Sequence, residues 1–246
     1  MKSLFIAWQD PETRLWYTVG RLTREKGVYR FVYTQGAEAT PRFSCLGRMT
    51  DLNAEYYSED LFPLFRNRLL HASRPEYPDY VRWLDLENQN NDPLLLLGRS
   101  GGKRATDSLC VFPEPEPDAD GKYSVYFFSH GLRYLDPINL EGIARLRVGD
   151  VLRLKREDHN EADRFALVLE TDEKLKVGYC PRYLNKELHR VQDVDVTTLR
   201  LIVEKVNPEA PLHFRLLCRT SFHLPEGFDL FASEEYQPLS EMLLAA

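Results

Sequence analysis

Long hydrophobic runs are missing from this chain. Apolar fragments such as Pro93–Leu97 fall far short of the roughly 18 residues a membrane helix needs, so no membrane span is expected. The N-terminal stretch MKSLFIAWQDPETR is cut short by Gln9 and Asp10, and it reads as a strand rather than a signal peptide. Cysteine is scarce: Cys45, Cys110, Cys180 and Cys218 stand far apart without paired spacing, which fits reduced, buried thiols and a cytoplasmic location. Histidines 71, 130, 159, 189, 213 and 223 show no ligand spacing with one another or with the cysteines, so neither a metal nor another cofactor is expected. No G-x-S-x-G or comparable nucleophile pattern occurs, and no enzyme is expected. An excess of positive charge is lacking too. The net charge of −6 argues against a nonspecific nucleic-acid coat protein.

What is present is a composition able to build cores. With 43% hydrophobic and 12% aromatic residues, 246 residues suit one large or two small domains. The acidity is local. Residues 113–123 carry four acidic side chains against one basic, and residues 191–246 carry nine against four. Elsewhere the signs balance, so any nucleic-acid contact must come from a small basic patch.

In chain order, Leu4–Trp8, Trp16–Leu22 and Tyr29–Tyr33 read as a meander of three strands. A helix is expected next, capped by Asp60, with Pro63 in its first turn and Leu61, Phe62, Phe65 and Leu69 on its apolar face. A second helical piece spans Pro78–Leu86, and a strand near Ser108–Phe112 closes this half. Between them GRSGGKRAT, Gly98–Thr106, invites a phosphate-loop reading. The spacing fails, because Lys103 and Arg104 stand where the second glycine and the lysine belong, and a turn with positive φ is expected instead. The segments TVGRLTREKGVYRFVY, DLFPLFRNRLL and DPLLLLGRSGGKRATDSLCVFPEPE resemble the N-terminal subdomain of HipA-type toxin kinases over residues 3–115. The kinase parts of that family have no counterpart here, so the resemblance implies a docking module.

FPEPEPDADG, Phe112–Gly121, alternates proline with acid and stays extended; it serves as a linker, or as a loop pressed between docked domains. The expected order is an α+β domain over residues 1–112, a linker over 113–122, a β-barrel domain over 123–222 and an acidic tail over 223–246. The tail ends in an apolar helix-like stretch, Leu239–Leu244. Thr197–Val206 and Leu212–Arg219 read as a hairpin that completes the barrel begun at Tyr123.

The most informative stretch is Phe127–Leu184. Strand-like runs Val151–Lys155 and Phe165–Glu170 flank a loop, Arg156–Arg164, dense in charge and amide. A strand then meets Gly178–Tyr179, and a proline-initiated helical turn follows. The order GLRY, GD-x-L-x-L-x-RE, HN-x-x-D-x-x-A, VGY-x-P resembles the HIRAN domain, an OB-like barrel of DNA-processing proteins whose members hold DNA ends. The resemblance implies a DNA-binding groove containing Arg133, Tyr134, Asn160, Asp163, Tyr179 and Arg182. Arg133 would contact phosphate and Tyr134 would stack on a base. Asn160 would read a base edge, and Asp163 would accept a bond from a terminal sugar hydroxyl. Tyr179 and Arg182 would meet a phosphate at a helix start near Pro181. Where some members carry an aromatic in the loop, this chain has Ala162. Each residue also fits a plainer role: a solvated arginine beside a wall tyrosine, or an Asn and an Asp that bond their own loop backbone.

The implied function is non-enzymatic recognition of single-stranded or frayed DNA ends, with the N-terminal half docking a protein such as a kinase, helicase or nuclease. Two other readings stand beside it: a regulatory partner of a separate kinase or antitoxin, and a subunit of a DNA-repair or phage-defence complex.

Overall fold

Aromatic and β-branched residues dominate the start of the chain and pair there as an antiparallel meander. The computed structural model describes residues 3–89 and 92–242. In it β1 (Ser3–Gln9) pairs with β2 (Trp16–Glu25), and β2 with β3 (Val28–Tyr33). Lys26 and Gly27 turn between β2 and β3 with φ of 48° and 87°, the conformation that suits a two-residue hairpin. Two more strands, β4 (Tyr56–Ser58) and β5 (Leu109–Pro113), complete a sheet of order β4-β3-β2-β1-β5. The closing strand thus pairs with the first one.

Leu4, Ile6, Leu22, Phe31, Tyr33 and Phe65 are fully buried in the core of this unit. The Tyr33 hydroxyl avoids isolation there by donating to Met49 O and accepting from Leu46 N, each at 2.6 Å. The helix expected after Asp60 is a single turn, α1 (Pro63–Arg66), and Asp60 does not cap it. Its N-cap position is Phe62, which has no capping side chain. Just beyond, the chain turns inward with Arg68, whose guanidinium reaches Asp107 (2.5 Å) and Gly102 O (2.9 Å). The second piece is α2 (Tyr77–Trp83). Pro93–Leu97 opens α3 (Pro93–Ser100), capped by the Asp92 side chain on Leu94 N at 2.9 Å. Gly101, at φ 76°, ends it.

The chain groups into two units. The first takes its described residues from Met1–Val81, Leu86–Glu114 and Phe231–Ala246, and the second from Arg82–Asp85 and Pro115–Leu230. The stretch read as an acidic tail from residue 223 therefore ends inside the first unit. Phe231 packs 5.4 Å from Phe5 and 5.8 Å from Phe112, ring centre to ring centre, and 4.9 Å from Tyr236. Gln35 N donates to Gln237 O, and the helix-like end expected at Leu239–Leu244 is a short helix over Leu239–Met242, with Leu239 buried. Residues 243–244 of the expected helix-like end lie outside the described residues.

In the second unit, Asp118 shapes the entry by accepting from Asp120 N (3.0 Å) and Lys122 N (2.9 Å). The strands are β6 (Lys122–Phe128), β7 (Val151–Arg156), β8 (Leu167–Glu170), β9 (Lys176–Tyr179), β10 (Arg200–Val206) and β11 (Leu216–His223). The helices are α4 (Pro137–Arg145) and α5 (Arg182–Asp195), and the Leu239–Met242 helix of the first unit is α6. A 14-residue α5 stands where a helical turn was expected, with Leu184, Leu188 and Val191 on its buried face.

Strand order is β6-β11-β10-β7-β8-β9, an OB-like arrangement. The β10–β11 hairpin fills the middle of this sheet rather than sealing its edge. Closure comes from elsewhere: His130, just past β6, and Tyr179, ending β9, exchange both backbone hydrogen bonds at 2.9 Å. Edge meets edge there.

Candidate nucleic-acid interface

The closure point also assembles the residues of interest. Gly131, at φ 76°, follows His130 and leads into a 3-10 turn, Leu132–Tyr134. A Cβ on Gly131 would sit 2.9 Å from Cδ2 of Tyr179, so only glycine lets the turn lie against that ring. Leu132 anchors the turn in the core, and this leaves Arg133 and Tyr134 outside. Tyr134 is 73% exposed. The Arg133 guanidinium lies 4.6 Å from the centre of its ring and donates to its hydroxyl. Tyr134 is not a wall residue. It is a solvent-facing aromatic with a cation stacked on it.

The loop between β7 and β8 is held by its own polar side chains. Oδ1 of Asn160 accepts from the amides of Ala162 and Asp163, both at 3.0 Å, and Nδ2 donates to Glu157 Oε2 at 2.5 Å. Asp163 accepts from Phe165 N through Oδ1 (2.9 Å) and from the buried Asn185 amide through Oδ2 (2.8 Å). Arg182, the first residue of α5, donates to Ala162 O at 2.8 Å and lies 3.9 Å from Asp163 Oδ2. The guanidinium therefore stands at the positive end of the α5 dipole, beside the loop.

Tyr179 ties the parts together. Its hydroxyl donates to Glu157 Oε2 at 3.0 Å and accepts from Lys176, whose ammonium lies 4.1 Å from the ring centre. Lys176 Nζ is also 3.4 Å from Glu157 Oε1. Partial burial acts to raise the Glu157 pKa, but the bonds from Asn160, Tyr179 and Lys176 outweigh it and hold the carboxyl below its usual range. Burial likewise acts to lower the Lys176 pKa, and Tyr179 and Glu157 reverse that, so the ammonium is held charged.

All six residues singled out from sequence thus belong to one connected set. Asn160 reaches Tyr179 through Glu157, Asp163 reaches Arg182, and Tyr179 is backbone-paired beside the Arg133–Tyr134 turn. Sequence reasoning missed Glu157, Lys176 and Asn185. Glu157 was in view as the last letter of GD-x-L-x-L-x-RE. Lys176 was hidden by a bulge. Leu169 faces Gly178 and Glu170 faces Lys176, so β9 carries one extra residue, which brings Lys176 to the same side as Tyr179.

Other features draw less attention. Among the described residues, no group of three His, Cys, Asp or Glu side chains could hold a metal ion. The first unit has an open cleft of about 280 Å³ lined by Trp8, Phe43 and Leu109, with Arg42 and Arg68 among its polar groups. Both cations are matched, to Asp10 and Glu12 and to Asp107. The Gly98–Thr106 stretch is the end of α3 followed by Gly101 and Gly102 at φ 76° and 53°. No described helix is long and apolar enough to cross a membrane.

Comparison with known proteins places a HIRAN domain at residues 122–224. Two crystal structures are similar over part of the chain. One is a protein from Lactobacillus plantarum, 27% identical with a TM-score of 0.33, covering 42% of this chain and all of that one. The other is the HIRAN domain of human HLTF, 18% identical with a TM-score of 0.33, covering 43% of this chain and 81% of that one. No curated protein matches the chain.

Proposed function

With a HIRAN domain at residues 122–224, we propose that the protein is a non-enzymatic DNA-binding protein that holds single-stranded or frayed DNA ends. The observation that carries this reading is the Arg133–Tyr134 pair. An aromatic ring that is 73% exposed and roofed by a guanidinium makes no contribution to a core, and it matches what an unpaired base and its phosphate require. Arg133 supplies a phosphate contact, and Tyr134 a platform worth roughly 1–3 kcal/mol per stacked base. Arg182, at the N-terminus of α5, supplies a second phosphate contact. Tyr179, Asn160 and Asp163 shape the floor between them. Ala162 adds no stacking, and its carbonyl anchors Arg182 instead.

The first unit is assigned a protein-docking role, on its resemblance to the HipA N-terminal subdomain over residues 3–115. Its partner is a kinase, helicase or nuclease.

Fluorescence anisotropy with short labelled strands tests the reading. Linear single strands are expected to bind and covalently closed circles to bind poorly. Equal binding to both reduces the protein to a general single-strand binder, and no binding at low salt removes the DNA reading altogether.

A further inference from the structure

The open cleft of the first unit is lined by a buried donor that lacks an acceptor. Trp8, Phe43, Leu46, Leu64 and Leu109 give the cleft apolar walls, and the Trp8 and Phe43 rings meet edge to face with centres 5.5 Å apart. Arg68 lines it too, with a side chain only 1% exposed. Its guanidinium engages its neighbours end-on. Nη1 donates to Gly102 O at 2.9 Å and to Asp107 Oδ1 at 3.1 Å, and Nη2 donates to Asp107 Oδ2 at 2.5 Å. Nε has no hydrogen-bond partner among the described residues. Asp107 is already occupied, by those two outer nitrogens and by Leu109 N at 3.1 Å. A buried N–H left unmade on a charged group is costly, and it marks a place where an acceptor belongs.

Charge and volume narrow what that acceptor is. The cleft has no surplus of positive charge, because Asp107 balances Arg68, and Asp10 and Glu12 balance Arg42. A carboxylate or phosphate at Nε would stand close to the Asp107 carboxylate and be repelled by it. An uncharged carbonyl oxygen takes the same bond without that repulsion, and a purely apolar group leaves Nε unsatisfied. Roughly 150 Å³ of apolar cavity suffices for benzene. A cleft of about 280 Å³ therefore has room for one ring and a substituent of a few atoms. We propose that this cleft is a binding site for an uncharged, ring-sized ligand bearing a carbonyl oxygen, an aromatic amide or lactam. The ring packs against Trp8 and Phe43, and the carbonyl accepts from Arg68 Nε. All of these residues lie in the first unit, so the site is independent of the DNA reading.

Cys45 supplies the reporter. It lines the cleft half-buried, while Cys110, Cys180 and Cys218 are buried, so methyl methanethiosulfonate should modify it first. The probe is benzamide, compared with benzoate and with benzene on the full-length protein. Mass spectrometry follows modification of Cys45, and the Arg68 Nε–H resonance is followed in ¹⁵N-labelled protein. Benzamide is expected to protect Cys45 saturably, with a dissociation constant on the order of millimolar, and to shift the Arg68 resonance. Benzoate should bind at least about tenfold more weakly. Arg68→Lys keeps a cation for Asp107 and removes Nε, and it should weaken benzamide by about tenfold while leaving benzene unchanged. Ser44→Trp, at an exposed position of the same cleft, fills the space without touching the ion pair and should leave the Arg68 resonance insensitive to benzamide. Benzoate binding as tightly as benzamide overturns the inference. So does benzamide that leaves the wild-type Arg68 resonance unmoved, or that gives Cys45 no saturable protection.

Discussion

His130 and Tyr179 exchange both backbone hydrogen bonds at 2.9 Å, and this single bridge both closes the barrel of the second unit and sets the position of its candidate interface. The Arg133–Tyr134 turn starts one residue after His130, and the Glu157–Lys176 cluster gathers on the Tyr179 hydroxyl. Barrel closure and the candidate interface therefore share one place.

Gly178 tests the closure. It adopts φ 119°, and a Cβ there would lie 1.9 Å from Ser129 Oγ and 2.7 Å from His130 O. Gly178→Ala is expected to cost at least about 3 kcal/mol, from backbone strain plus a clash with a backbone oxygen. Gly149→Ala, with φ 90° and open space around it, should cost only about 1 kcal/mol. Urea denaturation of the two variants gives the comparison, and equal losses would show that close approach at Gly178 contributes nothing.

Tyr134→Ala should separate binding from folding. The ring is mostly exposed, so the unfolding midpoint should stay within error of wild type, while affinity for single strands falls by roughly 5- to 150-fold, the equivalent of one stacked base. Arg133→Ala should weaken binding less at high salt than at low salt, with the slope of log affinity against log salt reduced by about 0.7. Anisotropy across a salt series reads both.

The C-terminal segment is expected to act as a strap on the first unit. Phe231 is buried among Phe5, Phe112 and Tyr236, and Phe231→Ala should cost about 3–5 kcal/mol, as a large core truncation does. Denaturation followed by intrinsic fluorescence checks this. A loss below about 0.5 kcal/mol, the range of an exposed site, would mean the segment is a tail after all.

Glu55 predicts an acid limb in the stability of the first unit. Hydrogen bonds from Arg30 and Tyr57, with Ser240 of α6 adding a third, lower its pKa to about 2. A carboxylate whose folded pKa is depressed stabilises the fold above its unfolded pKa, and that contribution is lost as pH falls through the folded value. The window here runs from the ordinary glutamate value of 4.5 down to about 2. Because the side chain is partly exposed, the loss is on the order of 2 kcal/mol after allowance for solvent screening. Glu55→Gln should flatten this limb in denaturation curves collected across the same pH range, and an unchanged limb would assign it to other carboxylates.

Much of the layout was legible in the residues alone. The three-strand meander and the strands around Val151–Lys155, Phe165–Glu170 and Gly178–Tyr179 follow from alternation and turn chemistry, both local properties. The helix after Asp60 was overextended, because its apolar spacing is satisfied by one turn plus a loop that buries Arg68. The acidic C-terminus was read by its charge, and its few aromatic residues decided where it packs.

By itself, then, the sequence determined the strands and turns whose signals lie within a few neighbouring positions, and it carried the motifs from which the resemblance implies the six residues of interest; helix α4 had no such local reading. Only the tertiary structure decided that β10 and β11 lie in the middle of the sheet, that His130 meets Tyr179, and that a bulge brings Lys176 beside Tyr179 and Glu157. These are pairings between residues tens of positions apart. They are chosen by which edges and cores can be satisfied together, and no local pattern records that choice.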